Sequence, residues 1–104
     1  MNRPEQVNQD HIDALVQAFF SLKSEAECRA FLQDLCTMQE LVQLSQRLQV
    51  AKLLLAGETY DAIRGRLPVS STTITRISTV LQFGAGGYRA VLDRRGEKTE
   101  SGQQ

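Results

Sequence analysis

Residues Tyr60 to Leu81, YDAIRGRLPVSSTTITRISTVL, carry the clearest structural signal of this chain. Ile63 and Leu67 fall on one side of a short helix, and a turn containing Pro68 follows it. A second helix comes after the turn, and one of its sides is apolar: Ile74, Ile77 and Leu81. Apolar positions in this arrangement hold two helices at a fixed angle, which is typical of a helix-turn-helix. In that motif the second helix lies in the major groove of DNA.

The opposite side of this second helix carries hydroxyls and one arginine. With Ile74 facing inward at about 100° per residue, the outward positions hold Thr72, Thr75, Arg76 and Thr79, with Ser71 at their edge. Arginine can grip guanine with two hydrogen bonds, and serine or threonine can bond base edges or phosphates. β-Branched threonines are poor choices for a helix face that is merely solvated. The pattern therefore favours DNA recognition over an ordinary polar surface.

The charge distribution agrees with this interpretation. The chain of 104 residues has 12 Lys plus Arg and 12 Asp plus Glu, so its net charge is zero. Residues 57–95 nevertheless contain six arginines against three acidic residues, whereas residues 1–56 carry a net charge of −2. The basic part thus coincides with the predicted DNA-reading segment. An ordinary fluctuation of charge in a small protein would look the same.

Helical periodicity and capping residues predict about six helices and no strand, so the fold class is all-α. Ile12 to Phe20 form a first amphipathic helix, and Ser24 with Glu27 would start a second. The later helices are predicted at Met38 to Ala56, Tyr60 to Arg66, Ser71 to Gln82 and Tyr88 to Arg94. We expect a single domain over residues 10–95, with the helix-turn-helix at about 60–82. A flexible arm (1–9) would precede it and a disordered tail (96–104) would follow.

The third helix is apolar over much of its circumference. Leu41, Leu44 and Leu48 begin one stripe, and Val42 and Val50 widen the apolar surface beyond it. A helix of this kind needs cover on more than one side, and in so short a chain a second subunit can supply part of it. The sequence therefore predicts a homodimer. The alternative is a central core helix that is covered by its own neighbours.

The sequence gives little support for a catalytic or metal-binding site. His11 is the only histidine, and it has no cysteine at metal-ligand spacing and no nucleophile assembled beside it. Cys28 and Cys36 lie eight positions apart in one predicted helix, about 12 Å, which is too far for a disulfide. The glycines of Gly84 to Gly87 follow no strand and precede no Walker lysine, so a helix cap or joint is expected there. We expect no enzyme, no metal and no membrane span, with cytoplasmic residence as the default.

These motifs together resemble the Trp repressor family. The resemblance rests on Thr37, on Arg47 ten residues later, on LLLAGET at Leu53 to Thr59, and on TTITR at Thr72 to Arg76. The run GAGGY at Gly84 to Tyr88 makes the chain more similar to the YerC/YecD branch than to the repressor itself. The resemblance implies a helical, intertwined homodimer that binds operator DNA with two reading helices.

The resemblance also implies roles for individual residues. Positions Ser71, Thr72 and Thr75 would approach bases, and Arg64 and Thr73 would approach the DNA backbone. With the capping Ser70 and the outward side of the second helix, the predicted DNA-binding set is Arg64, Ser70, Ser71, Thr72, Thr73, Thr75, Arg76 and Thr79.

The resemblance implies a second site, an effector pocket. Its residues are Thr37, Arg47 and Arg76. The family places a glycine and a serine of the reading helix around tryptophan, and this chain has Ile77 and Val80 there. Two bulky apolar side chains would fill the space and leave no hydroxyl for the ligand's amino group. We therefore expect no tryptophan corepressor and no other cofactor.

The sequence predicts a sequence-specific DNA-binding transcriptional regulator, most simply a repressor. Two alternatives stay open. One is a helical adaptor or dimerisation module whose reading surface binds another protein, and the other is a repressor that senses a small metabolite.

Overall fold

A computed structural model describes residues 7–94 of the chain. This part contains helices and connecting segments and no strand, which confirms the all-α prediction. The six helices are α1 (Gln9–Phe20), α2 (Glu25–Leu35), α3 (Met38–Leu55), α4 (Tyr60–Arg66), α5 (Ser71–Phe83) and α6 (Gly87–Arg94). Residues 1–6 of the predicted arm and the whole predicted tail lie outside the described residues. Gln9, assigned to the arm by the sequence, is the first residue of α1.

Side-chain caps begin several of the helices, including α2, where the sequence predicted Ser24 and Glu27. The Ser24 hydroxyl accepts a hydrogen bond from the backbone N–H of Glu27 at 3.0 Å, and a Glu27 carboxylate oxygen accepts one from the N–H of Lys23 at 2.8 Å. Thr59 caps α4 in the same way through the N–H of Ala62, at 3.1 Å. Each cap satisfies a backbone donor that the first turn of a helix leaves without a partner.

The described helices group into two compact units, one extending to Met38 and the other beginning at Gln39. The sequence predicted a single domain over residues 10–95. In the first unit the rings of Phe19 and Phe31 meet edge to face, with centroids 5.2 Å apart and planes at 72°. No residue of α1 or α2 is buried. The apolar residues Ile12, Leu15, Val16 and Phe20 of α1 are between 41% and 84% exposed.

The second unit is built around a core to which all four of its helices contribute. Its buried residues are Val50 and Ala51 of α3, Ile63 of α4, Ile74 and Ile77 of α5, and Leu92 of α6. Leu67 and Val69, on either side of the α4–α5 turn, pack against this cluster. The core thus fixes α5 within the unit while leaving its other side open.

Glycines follow two of the helices of this unit. Gly57 follows α3 with a φ of 90°, a left-handed conformation that favours glycine over residues with a side chain. Gly84 ends α5, and its N–H donates to the carbonyl of Val80 at 2.8 Å. The Arg89 Nε then donates to the carbonyl of Leu81 at 3.3 Å, so α6 supplies a cation to the carboxyl end of α5. The run GAGGY therefore ends one helix and starts the next, as the cap-or-joint prediction required.

Candidate nucleic-acid interface

The buried and exposed sides of α5 divide as the sequence predicted. Ile74 is 0% exposed and Ile77 is 3% exposed, and Leu81 is half-buried against the same core. On the opposite side the residues that line a shallow depression of about 520 Å³ are Ser71, Thr72, Thr75, Arg76, Thr79 and Val80. We call these six residues the reader surface. They include hydroxyls, methyl groups and one cation, and no acidic residue.

The hydroxyls of α5 and of its cap Ser70 differ in whether they already make hydrogen bonds within the chain. Ser70 caps the helix: its oxygen accepts from the N–H of Thr73 at 3.1 Å and its proton goes to the Thr73 hydroxyl at 3.2 Å. Thr73 is half-buried, so these two residues stabilise the start of α5. The Thr79 hydroxyl donates to the carbonyl of Thr75 at 3.0 Å. Within residues 7–94 the side chains of Thr72 and Thr75 are exposed and make no such bond.

The turn between α4 and α5 obtains its shape from proline. Leu67 ends α4 in an extended conformation, with φ −132° and ψ 144°. The N–H of Val69 donates to the carbonyl of Leu67 at 2.8 Å, across Pro68. A hydrogen bond between residues two apart defines a γ-turn, and the fixed φ of proline suits its inverse form. No residue between Leu67 and Ser70 adopts a positive φ, so this turn does not need glycine.

Both arginines of α4 are engaged by acidic residues. The guanidinium of Arg64 donates through one nitrogen to the Asp61 carboxylate and through the other to the Ser71 hydroxyl. Arg66 lies 3.7 Å from a carboxylate oxygen of Glu58. Arg76, in contrast, has no ion-pair partner among residues 7–94. It is therefore the available cation of the reader surface.

A second depression of about 280 Å³ lies between α3 and the α4–α5 turn. Its lining is mostly polar: Gln43, Gln46, Arg47, Pro68, Val69, Ser70 and Thr73. Sequence reasoning missed the two glutamines. They stand four and one positions before Arg47, and this helical spacing places all three on one side of α3.

Two residues of the predicted effector pocket, Arg47 and Arg76, line different depressions of the second unit. Arg47 lines the second depression, Arg76 lines the reader surface, and Thr37 belongs to the first unit. Ile77 lies in the core, whereas Val80 is 41% exposed at the edge of the reader surface.

Other sites are sparse in the described part of the chain. Residues 7–94 contain no group of three or more His, Cys, Asp or Glu side chains placed to hold a metal ion. The same residues include no helix that is long and apolar enough to cross a membrane. Cys28 and Cys36 carry free thiols.

Comparison with known proteins agrees with this geometry. The family described as Trp repressor protein matches residues 10–96. YerC, an uncharacterized protein of Bacillus subtilis (strain 168), is 42% identical over 91 residues, which cover 86% of this chain and 88% of YerC.

Two solved structures are also similar over most of their length. One is a candidate Trp repressor from Staphylococcus aureus, with a TM-score of 0.79 and 39% identity, covering 91% of this chain and 95% of that one. The other is a TrpR-like protein from Eubacterium eligens ATCC 27750, with a TM-score of 0.79 and 39% identity, covering 84% and 90%. The family consists of regulators rather than enzymes. This chain, matched over residues 10–96, belongs to the Trp repressor family.

Proposed function

We propose that this protein is a sequence-specific DNA-binding transcriptional regulator, a repressor, that acts as a homodimer through α4 and α5. The observation that carries the proposal is the exposed reader surface on a helix whose other side is fixed in the core. Hydroxyls, methyl groups and a guanidinium are the groups that read base edges, and the absence of a carboxylate there avoids repulsion from phosphates. Membership of a family of DNA-binding regulators supports the same conclusion.

Each residue of the interface then has a distinct role. Arg76 provides the guanidinium that can hold guanine with two hydrogen bonds, and Thr72 and Thr75 present hydroxyls and methyl groups to neighbouring base pairs. Ser70 and Thr73 serve the interface indirectly, because their hydrogen bonds hold the first turn of α5. Because helix N-termini favour phosphate, we expect a backbone phosphate to lie at the first turn of α5.

The dimer is proposed from the exposed apolar side of α1. Ile12, Leu15 and Val16 are 41%, 41% and 50% exposed, and Phe20 is 84% exposed. Contiguous apolar patches of this kind mark interaction surfaces in soluble proteins. A second copy of the chain would cover them and would place two reader surfaces on half-sites about one helical turn apart. Since a regulator shares a compartment with its DNA, we assign the protein to the cytoplasm.

The test begins with selection of bound duplexes from a random pool by the purified full-length protein. We expect a near-palindromic site to be enriched. Arg76→Ala should then weaken binding to that site by about 1–3 kcal/mol and relax selection at one base pair per half-site, as loss of a bidentate contact does. Thr75→Ala should weaken it less. The matched control is Arg29→Ala, which removes the same charge from α2, where Arg29 pairs with Glu25 at 3.4 Å.

Two results would contradict the proposal. One is the absence of any enriched site, and the other is an equal effect of Arg76→Ala and Arg29→Ala on binding. Salt dependence separates the proposal from the adaptor alternative. Affinity for DNA falls steeply with salt because counterions are released, whereas an apolar protein contact responds weakly.

A repressor that senses a small metabolite is the second candidate function, and the depression beside Arg47 favours it. The depression measures about 280 Å³, and the guanidinium of Arg47 in its lining could bind the carboxylate of a small molecule. Titration calorimetry with individual amino acids, on the natural chain and on Arg47→Ala, tests this function. Saturable heat that Arg47→Ala abolishes would support it, and the absence of heat would exclude the ligands tried.

A further inference from the structure

The feature that carries a further inference is the pairing of Arg64 at the edge of the reader surface. One nitrogen of its guanidinium donates to the Ser71 hydroxyl, and Ser71 is the first residue of α5. Another nitrogen donates to the carboxylate of Asp61, one turn earlier on α4. The side chains of Arg64 and Asp61 are 44% and 86% exposed, so solvent and macromolecules reach both.

A carboxylate and a backbone phosphate bind a guanidinium in the same way. Both are anions that accept parallel N–H···O hydrogen bonds from its planar fork. DNA bound to the reader surface would bring phosphates to the edge of the groove, where Ser71 holds Arg64. The guanidinium nitrogen of Arg64 that donates to Asp61 can therefore donate to a phosphate instead, but not to both at once.

We propose that Asp61 is an affinity-setting residue that competes with the DNA backbone for Arg64. The proposal rests on the DNA-binding function proposed above. Asp61 acts as an internal substitute for phosphate: DNA must displace its carboxylate before Arg64 contributes a backbone contact. Because the competition involves no base, Asp61 lowers the affinity for all DNA sequences by the same factor. The contacts of Arg76, Thr72 and Thr75 with bases then decide which sites remain occupied.

The expected change in DNA affinity follows from the exposure of the Arg64–Asp61 ion pair. An exposed ion pair changes an equilibrium constant by no more than about fivefold. We therefore expect Asp61→Asn to tighten binding by roughly two- to fivefold at about 0.1 M salt, equally for the selected site and for a duplex of random sequence. Arg64→Gln should weaken binding to both and should reduce the slope of log K against log salt by about 0.9, as loss of one phosphate contact does.

The matched control is Asp93→Asn. It makes the same charge change at an exposed position of α6, so it reports the effect of net charge alone. Circular dichroism of each variant confirms that its helix content is unchanged. The decisive measurement is the double variant: when Arg64→Gln is already present, Asp61→Asn should change DNA affinity no more than Asp93→Asn does, because Asp61 acts through Arg64.

The outcomes separate this inference from the proposed function. If the natural chain selects no DNA site, the proposed function fails. If the natural chain binds DNA but Asp61→Asn and Asp93→Asn change the affinity equally, the proposed function stands. The inference that Asp61 competes with DNA for Arg64 is then refuted. If Asp61→Asn tightens binding as much in the Arg64→Gln variant as in the natural chain, the carboxylate merely repels phosphates and the role of Arg64 is refuted.

Discussion

Replacement of Gly84 by alanine should destabilise the second unit through a contact with the helix that Gly84 ends. A Cβ at this position would lie 2.6 Å from the carbonyl oxygen of Val80 and 2.9 Å from its Cγ1. The first distance is well below the 3.4 Å at which ordinary van der Waals contact begins. The oxygen belongs to the backbone of α5 and accepts the hydrogen bond of the Gly84 N–H. Relief therefore requires movement of the last turn of α5 rather than a change of rotamer.

Two costs determine the size of the effect. Forced overpacking costs about 1–3 kcal/mol, and weakening the hydrogen bond from the Gly84 N–H to Val80 adds about 1 kcal/mol. We expect Gly84→Ala to lower the free energy of unfolding by about 2–4 kcal/mol, a large part of the stability of a small protein. The loss should appear first where α6 meets α5, because the bond from Arg89 to the carbonyl of Leu81 spans this junction.

The assay is urea denaturation followed by circular dichroism at one fixed protein concentration, since association would change the apparent stability. Gly87→Ala is the matched control. A Cβ on Gly87 would meet nothing within 4 Å, and Gly87 is the first residue of α6, so alanine should be neutral or stabilise by up to about 1 kcal/mol. If Gly84→Ala proved as stable as Gly87→Ala, the reasoning from the close approach to Val80 would be refuted.

Two further substitutions test the core and the cap that hold α5. Ile74→Ala removes a fully buried side chain and should cost about 2–5 kcal/mol in urea denaturation, whereas a cost below about 1 kcal/mol, by the same scale, would show that this side chain is not packed as described. Ser70→Ala should cost about 1 kcal/mol by loss of the N-cap. Ser45→Ala is its control within α3, where the hydroxyl only donates back to the carbonyl of Val42, and it should be neutral or slightly stabilising. Equal costs for the two serine substitutions would contradict the cap.

Signals within a few residues of one another made much of the second unit predictable. The bounds of α4 agree with the prediction, because Thr59 offers a cap and Leu67 is followed by Pro68. The start of α5 was equally clear from Ser70. Its end was placed one residue early, at Gln82, because the glycine run indicates where a helix stops only approximately. The N–H of Gly84 still completes the helical hydrogen bond to Val80.

The remaining features depend on contacts that the sequence does not display. Arg64 and Asp61 stand three apart on α4, a spacing that permits an ion pair, but the bond from Arg64 to Ser71 crosses the turn. The separation of Arg47 from Arg76 likewise depends on how α3 meets the turn. Periodicity predicted an apolar side for α1. It could not show how exposed these side chains are, because burial depends on residues that are distant in the sequence.

The threonines of α5 connect recognition with stability. Each costs up to about 0.7 kcal/mol of helix propensity relative to alanine, so the four of them, Thr72, Thr73, Thr75 and Thr79, weaken the helix by about 2–3 kcal/mol. Burial of Ile74 and Ile77 contributes about 1.5–3 kcal/mol each, which offsets this loss. A helix as short as α5 would in any case be marginal alone. The core of the second unit therefore holds α5 in its helical conformation. For that reason the residues on the outward side can be ones that suit binding rather than ones that favour a helix.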